Sequence, residues 1–353
     1  MIRVGVIGLG GMGKGRLRYY AQIPDARVEA IADVRANELC RDPDLANMLE
    51  VDPEELHWFD DYHELVVSGT VDTVDICLPS RWHRDASIAA LEAGLHVLCE
   101  KPMALSSEDC DVMVAASHQA GRLLMIAQCI RFWPEYQFLV DMAKSGALGR
   151  LLSLQLSRQG GTPSRSWFCR AAESGGALLD LHVHDIDFFQ YLLGLPQRLY
   201  AQGGMGQGKE LGYDYMLTNL DHGDDRQISA TAQWSKAPLP FVSRYEARFE
   251  EAYVRFESGV SPSMVIYRVD SEPQTPELGD GSGYLNEIRY FLQCLRSGTL
   301  PRRCLPEASR NSVALIEAIR ASLEHHGMVR VDQFVPGAPA PIQWDSAGIE
   351  WLM

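Results

Sequence analysis

Apolar residues cluster in short runs along the first third of the chain and alternate with polar ones along much of the rest. Val4–Ile7, Val28–Ala32, Thr73–Leu78, His96–Cys99 and Leu123–Ala127 are apolar on both faces and read as strands covered from both sides. Between them, Met12–Gln22, Arg81–Ala93 and Ser106–Gln119 have helical spacing, and Ser106 with Asp109 forms an N-terminal cap signal. Arg35–Trp58 is predicted as a helix broken near Pro43 and again near Pro53. Strands and helices in this alternation predict a doubly wound parallel sheet.

The pattern changes after about residue 125, where Arg131-Phe132-Trp133-Pro134 marks a break and Pro134 opens a predicted helix through Ala143. From Arg150 onward the period becomes two. Ile228, Ala230, Ala232 and Trp234 alternate cleanly, as do Tyr245, Ala247 and Phe249, and residues Asp221–Asp225 read as a hairpin connection. One apolar helix, Gly176–Leu193, interrupts the strands and stops at Gly194. Two more, near Leu285–Leu295 and Glu307–His325, follow them. The expected division is a nucleotide-type α/β domain over residues 1–125, then an α+β domain over 126–353 with a large, mainly antiparallel open sheet.

A length of 353 residues suits two domains, and 46% hydrophobic with 22% charged residues is the balance of a soluble globular protein. The opening MIRVGVIGLG is too short to span a bilayer and runs straight into glycines, so it reads as a strand and not as a signal peptide. No membrane association is expected. A net charge of −15 excludes the basic footprint of a nucleic-acid binder. Eight cysteines lie scattered with no CxxC pair, which points to reduced thiols and a cytoplasmic location.

Gly8-Leu9-Gly10-Gly11-Met12-Gly13 fits G-x-G-x-x-G between a strand and a helix, the context in which glycines permit a tight turn and close approach to a pyrophosphate. Asp33 ends the second strand, at the spacing of the acidic residue that binds the adenosine ribose hydroxyls. The first domain therefore reads as a Rossmann fold for NAD. Arg35 leaves NADP open, because it can pair with a 2′-phosphate.

Ligands in such a sheet lie beyond the carboxyl ends of the strands, where Pro79-Ser80-Arg81-Trp82-His83 and Glu100-Lys101-Pro102 fall. Lys101 on its turn can reach a substrate oxygen, although a plain surface lysine is the simpler reading of residue type. A cis Lys101–Pro102 bond is compatible with the turn. Asp180, His184 and Asp187 form a second group, with four-residue spacing placing Asp180 and His184 on one helical face. A carboxylate, an imidazole and a further carboxylate make a proton-transfer set. The same three side chains can share a metal ion, but no cysteine or histidine pair elsewhere has ligand spacing, and no metal is expected. Residues Gly160–Glu173, with Arg165 and Trp167, are expected to shape a substrate pocket, Trp167 being equally readable as a packing residue.

Taken in order, Gly8-x-Gly10-x-x-Gly13, Glu100-Lys101-Pro102 and Gly175-Gly176-Ala177-Leu178-Leu179-Asp180-x-x-x-His184-x-x-Asp187 resemble the glucose–fructose oxidoreductase / myo-inositol dehydrogenase (Gfo/Idh/MocA) family over nearly the whole chain. The resemblance implies an NAD(P)-dependent oxidoreductase acting on a secondary hydroxyl of a sugar, polyol, inositol or sugar derivative. It implies that Lys101 hydrogen-bonds the reacting hydroxyl, that His184 is the general acid/base with Asp180 as its partner, and that Asp187 contacts substrate. Pro79, Ser80, His83 and Glu100 are implied around the nicotinamide ribose, and Arg131 lies in a segment like the family's R-[FY]-x-P. Ser80 replaces a common asparagine and His182 a common glycine. A homodimer or homotetramer is also implied. An NAD-dependent glycosidase using transient oxidation and a non-catalytic NAD-binding regulator are the alternatives.

Overall fold

The computed structural model describes residues 1–42, 45, 55–164 and 167–335. Their contacts group into two compact units. The first takes Met1–Trp133 and Gly281–Val313; the second takes Pro134–Asp280 and the described residues from Ala314.

The first unit holds six parallel strands: β1 Ile2–Ile7, β2 Ala26–Ala32, β3 His57–Phe59, β4 Thr73–Ile76, β5 His96–Glu100 and β6 Leu124–Ala127. Their order, β3-β2-β1-β4-β5-β6, is that of a dinucleotide-binding Rossmann sheet. β4 and β6 are buried at every position, as strands with helices on both faces must be. The predicted cap of the helix Ser107–Ala120 is present, with Ser106 Oγ accepting the Asp109 N–H at 3.1 Å. Helix Gly283–Ser297 follows residues 134–280 of the second unit in the chain, yet Leu285, Ile288, Phe291 and Leu292 join the core of the first unit with Leu17, Leu98 and Met125. Each such side chain contributes about 1.5–3 kcal/mol by leaving water.

The second unit is built on eight strands: β7 Leu151–Gly161, β8 Arg198–Gly204, β9 Tyr215–Asp221, β10 Gln227–Ser235, β11 Val242–Phe249, β12 Ala252–Glu257, β13 Met264–Arg268 and β14 Val329–Arg330. Their order is β13-β12-β11-β7-β10-β9-β8-β14, and every pair is antiparallel except β7 with β10. Burial alternates residue by residue along β9 and β12, so one face is packed and the other open.

Two expectations need correction. The predicted broken helix Arg35–Trp58 does not reach its stated end: Ala36–Leu39 is a short helix, and Trp58 sits in β3. Residues 43, 44 and 46–54 lie outside the described residues. Nor is Gly176–Leu193 one α-helix. Ala177–Leu181 forms a π turn, in which the His182 N–H reaches back to the Ala177 carbonyl at 2.9 Å, and the α-helix proper is Val183–Leu193. Hydrophobic spacing does not register one extra residue in a turn, and such π segments recur at functional sites.

Candidate active site

The glycine turn is shaped by close approach. A Cβ on Gly13 would lie 2.0 Å from the Gly8 carbonyl oxygen, and Gly8 itself has φ +92°. Helix Gly11–Tyr20 therefore starts flush against the end of β1, its first N–H groups open toward an anion. Asp33 is fastened to this turn: one carboxylate oxygen accepts the Leu9 N–H at 2.8 Å, and the other accepts the Arg35 N–H at 2.9 Å and its Nε–H at 3.3 Å. The Arg35 guanidinium, half-exposed, is thus already paired with Asp33. A backbone too close for side chains, an open helix N-terminus and an acidic residue at the end of β2 fit a dinucleotide.

On the neighbouring strands, Lys101 is partly exposed and precedes Pro102 through a cis peptide bond. Pro79 leads into a short 3₁₀ turn over Ser80–Trp82, with Ser80 buried. His83 is buried too, its Nδ1 2.7 Å from the Pro102 carbonyl and its Nε2 2.8 Å from the Leu78 carbonyl. Burial holds its pKa below the ordinary value, although both carbonyls pull the other way. His83 therefore ties together the loops that follow β4 and β5. Arg131 is buried as well, and donates from Nη1 to the Arg303 carbonyl at 2.7 Å; the Arg303 guanidinium returns a bond to the Arg131 carbonyl and stacks on Phe132.

Sequence reading passed over a buried charge cluster behind Lys101. Arg16, fully buried, donates from Nη2 to Glu100 Oε1 at 2.6 Å. Its Nη1 lies 2.8 Å from Glu287 Oε1 and its Nε 3.6 Å from Asp75 Oδ2. Asp75 also accepts from the Tyr20 hydroxyl at 3.0 Å. Burial opposes the Arg16 charge, and Asp75, Glu287 and Glu100 together overcome it, so its pKa stands well above the usual value. Burial raises Asp75, and raises Glu287 to about 8. One signal was legible: an aspartate inside the apolar run Val74-Asp75-Ile76 has to be paired.

In the second unit, residues 176–189 are buried with two exceptions, Asp180 and His184. Asp187 is buried at 1% exposure and so is the least accessible of the three predicted polar side chains. Asp185, one residue beyond His184, is buried and paired with Arg158 at 2.9 Å. His182 is fully buried with Nε2 2.9 Å from the Thr218 hydroxyl, and burial together with Arg158 pushes its pKa down to about 3. It is a neutral packing residue. Trp167 is half-buried and stacks on Phe168 at 3.7 Å, and Arg165 lies outside the described residues. Among the described residues no group of three or more histidine, cysteine, aspartate or glutamate side chains is arranged to hold a metal. All eight cysteines are free thiols, and no helix among the described residues is long and apolar enough to cross a membrane.

Fold and glycine turn together define a nicotinamide-nucleotide oxidoreductase. Family models agree: residues 2–128 match the oxidoreductase family with NAD-binding Rossmann fold, and residues 136–263 match the GFO/IDH/MocA C-terminal domain. The chain belongs to the Gfo/Idh/MocA oxidoreductase family. It is 26% identical to myo-inositol 2-dehydrogenase of Thermotoga maritima, over 95% of this chain and 100% of that one. It is 31% identical to 2,7-anhydro-N-acetylneuraminate hydratase of Escherichia coli K12, over 67% of this chain and 62% of that one. A solved levoglucosan dehydrogenase in complex with NADH superposes with a TM-score of 0.82 at 22% identity, covering 94% of this chain and 99% of the other.

Proposed function

We propose that the protein oxidises a secondary hydroxyl of a sugar, polyol or inositol, with Lys101, Asp180 and His184 as its catalytic residues. The observation that carries this reading is the burial pattern of residues 176–189, where an otherwise buried segment leaves one carboxylate, Asp180, and one imidazole, His184, partly exposed. Partly exposed polar groups in an apolar segment are candidates for ligand contact. The sugar and polyol class follows the activities for which relatives are named, among them myo-inositol 2-dehydrogenase and D-glucoside 3-dehydrogenase.

Gly8–Gly13 would hold the pyrophosphate of NAD and Asp33 its adenosine ribose. When bound, NAD supplies the hydride acceptor. Lys101 donates a hydrogen bond to the reacting oxygen and orients it. His184 removes the hydroxyl proton, and Asp180 stabilises the imidazolium that results. In the reducing direction His184 returns the proton to the same oxygen. His83 and Arg131 act one step back, holding the loops and turns around the nucleotide. NAD is preferred over NADP, because the Asp33 carboxylate repels a 2′-phosphate and occupies Arg35. A homo-oligomer belongs to the same reading, with Tyr215, Leu217, Tyr253 and Tyr267 exposed on the open face of the second sheet.

The test is a panel of myo-inositol, methyl glucosides, D-xylose and sugar acids with NAD, followed by NADH absorbance. At least one member should yield NADH, and Lys101→Ala should lower that turnover by about 10²–10³-fold with NADH affinity near wild type. Undiminished turnover in Lys101→Ala removes the lysine from the mechanism. One observation supports a second reading: the relative at 31% identity is named for a hydration, which is no net oxidation. Under transient oxidation, substrate would be consumed and product released with no accumulation of NADH.

A further inference from the structure

We propose that Arg16 is a positioning residue for Lys101, holding the Glu100-Lys101-Pro102 turn through the Glu100 carboxylate, with Glu287 as the proton-carrying member of the cluster. The proposal rests on the reading of Lys101 given above and concerns how that lysine is held.

The geometry is a relay of two contacts. Glu100 folds back so that Oε2 accepts the backbone N–H of Lys101 at 3.2 Å, while Oε1 accepts from Arg16 Nη2 at 2.6 Å. Fixing the Glu100 side chain at one end thus fixes the Lys101 backbone at the other. The other nitrogens of Arg16 face the remaining carboxylates, Nη1 at 2.8 Å from Glu287 and Nε at 3.6 Å from Asp75. The shortest of these contacts, to Glu100 at 2.6 Å, reaches the turn that carries Lys101.

Arg16 also sits on the helix that opens at the glycine turn, so the element that receives the nucleotide and the turn that carries the lysine share a strut. Three carboxylates face one guanidinium. Asp75 on β4, Glu100 on β5 and Glu287 on helix Gly283–Ser297 surround Arg16, with Tyr20, Cys77 and Tyr284 as the neighbouring titratable groups. In a dry site such an excess of negative charge is relieved by protonating one member. Glu100 takes two donors and Asp75 takes the Tyr20 hydroxyl as well as the guanidinium, whereas Glu287 meets the guanidinium alone among the partners described, so Glu287 is the member that takes the proton. Its ionisation would draw the guanidinium away from Glu100 and loosen the turn.

Lys101 can be followed without any substrate, by competitive acetylation with acetic anhydride and mass spectrometry, using exposed Lys209 as internal reference. In wild type the pH dependence of the Lys101 rate should show, besides the lysine's own step, a further step at lower pH where Glu287 ionises. Glu287→Gln should lose the further step. Arg16→Lys keeps the charge but not the fork, and should change the Lys101 to Lys209 ratio at least threefold near neutral pH. Its kcat on whichever panel substrate wild type oxidises should drop 10-fold or more, with NADH affinity within about threefold. An unchanged ratio in Arg16→Lys, or a wild-type pH curve that Glu287→Gln leaves untouched, overturns the proposal. If Arg16→Lys does not fold, the Glu287→Gln curve alone decides. A wild type that oxidises nothing in the panel sinks the functional reading instead, and the acetylation ratios still report on Arg16.

Discussion

The two sheets treat charge in opposite ways. In the first unit, β4 is buried at every position and still carries Asp75, and β5 ends on the nearly buried Glu100. No open face exists to receive them, so Arg16 and Glu287 are recruited from two helices far apart in the chain. In the second unit, Asn219 of β9 and Arg255 of β12 turn to an open face, while Thr218, on the packed face of β9, meets His182. A charge in the first sheet is costly and therefore informative, whereas a charge on the open face of the second is ordinary surface; Arg158 of β7, buried against Asp185, follows the rule of the first sheet.

The strongest way to break this comparison is Arg16→Met. It strands buried carboxylates and should cost about 3–5 kcal/mol in urea unfolding. Thr231→Val on the open face of β10, where the hydroxyl bonds Ser157, should stay within about 0.5 kcal/mol. Equal losses at the two sites would remove the distinction.

The second unit has its own sensitive point in His184. His184→Asn should lower turnover by about 10²–10⁴-fold and abolish the acidic limb of the pH–rate profile for oxidation. Retention of that limb assigns the proton to another group. Chelator treatment of wild type should leave the rate unchanged; a loss restored by zinc would make Asp180, His184 and Asp187 a metal site.

Smaller effects sharpen the picture. Glu287 has an ordinary pKa of 4.5 and one near 8 in the fold, so the native state holds an extra proton between those values. Its contribution to stability is full below pH 4.5 and is lost as pH rises through 8. Tm should therefore decline across that window in wild type and decline less in Glu287→Gln. Smallest of all, Asp33→Ser should move the ratio of NAD to NADP affinity by about tenfold toward NADP, a change of about 1.4 kcal/mol. A wild type that already prefers NADP would show that Arg35 dominates.

What the sequence by itself determined was local or periodic. The glycine turn, Asp33 at the end of a strand, the Ser106 cap and the change from buried runs to alternation all depend on neighbours within a few residues. The Rossmann sheet and the mainly antiparallel second sheet followed from those periods, and Asp180 and His184 were legible as polar intrusions in an apolar stretch. Only the tertiary structure decided the rest. Helix Gly283–Ser297 belongs with the first unit because its apolar face completes the core beside Leu17 and Leu98. The π turn before His184 includes a bond from the His182 N–H to the Ala177 carbonyl, a five-residue step that hydrophobic spacing does not encode. His182, which lies beside the candidate residues in sequence, is packed away against Thr218. Arg16, Asp75, Glu100 and Glu287 are separated by up to most of the chain, so nothing in their local patterns shows which carboxylate meets which nitrogen. Their pairing exists because a guanidinium and three carboxylates, once excluded from water, have only one another to satisfy.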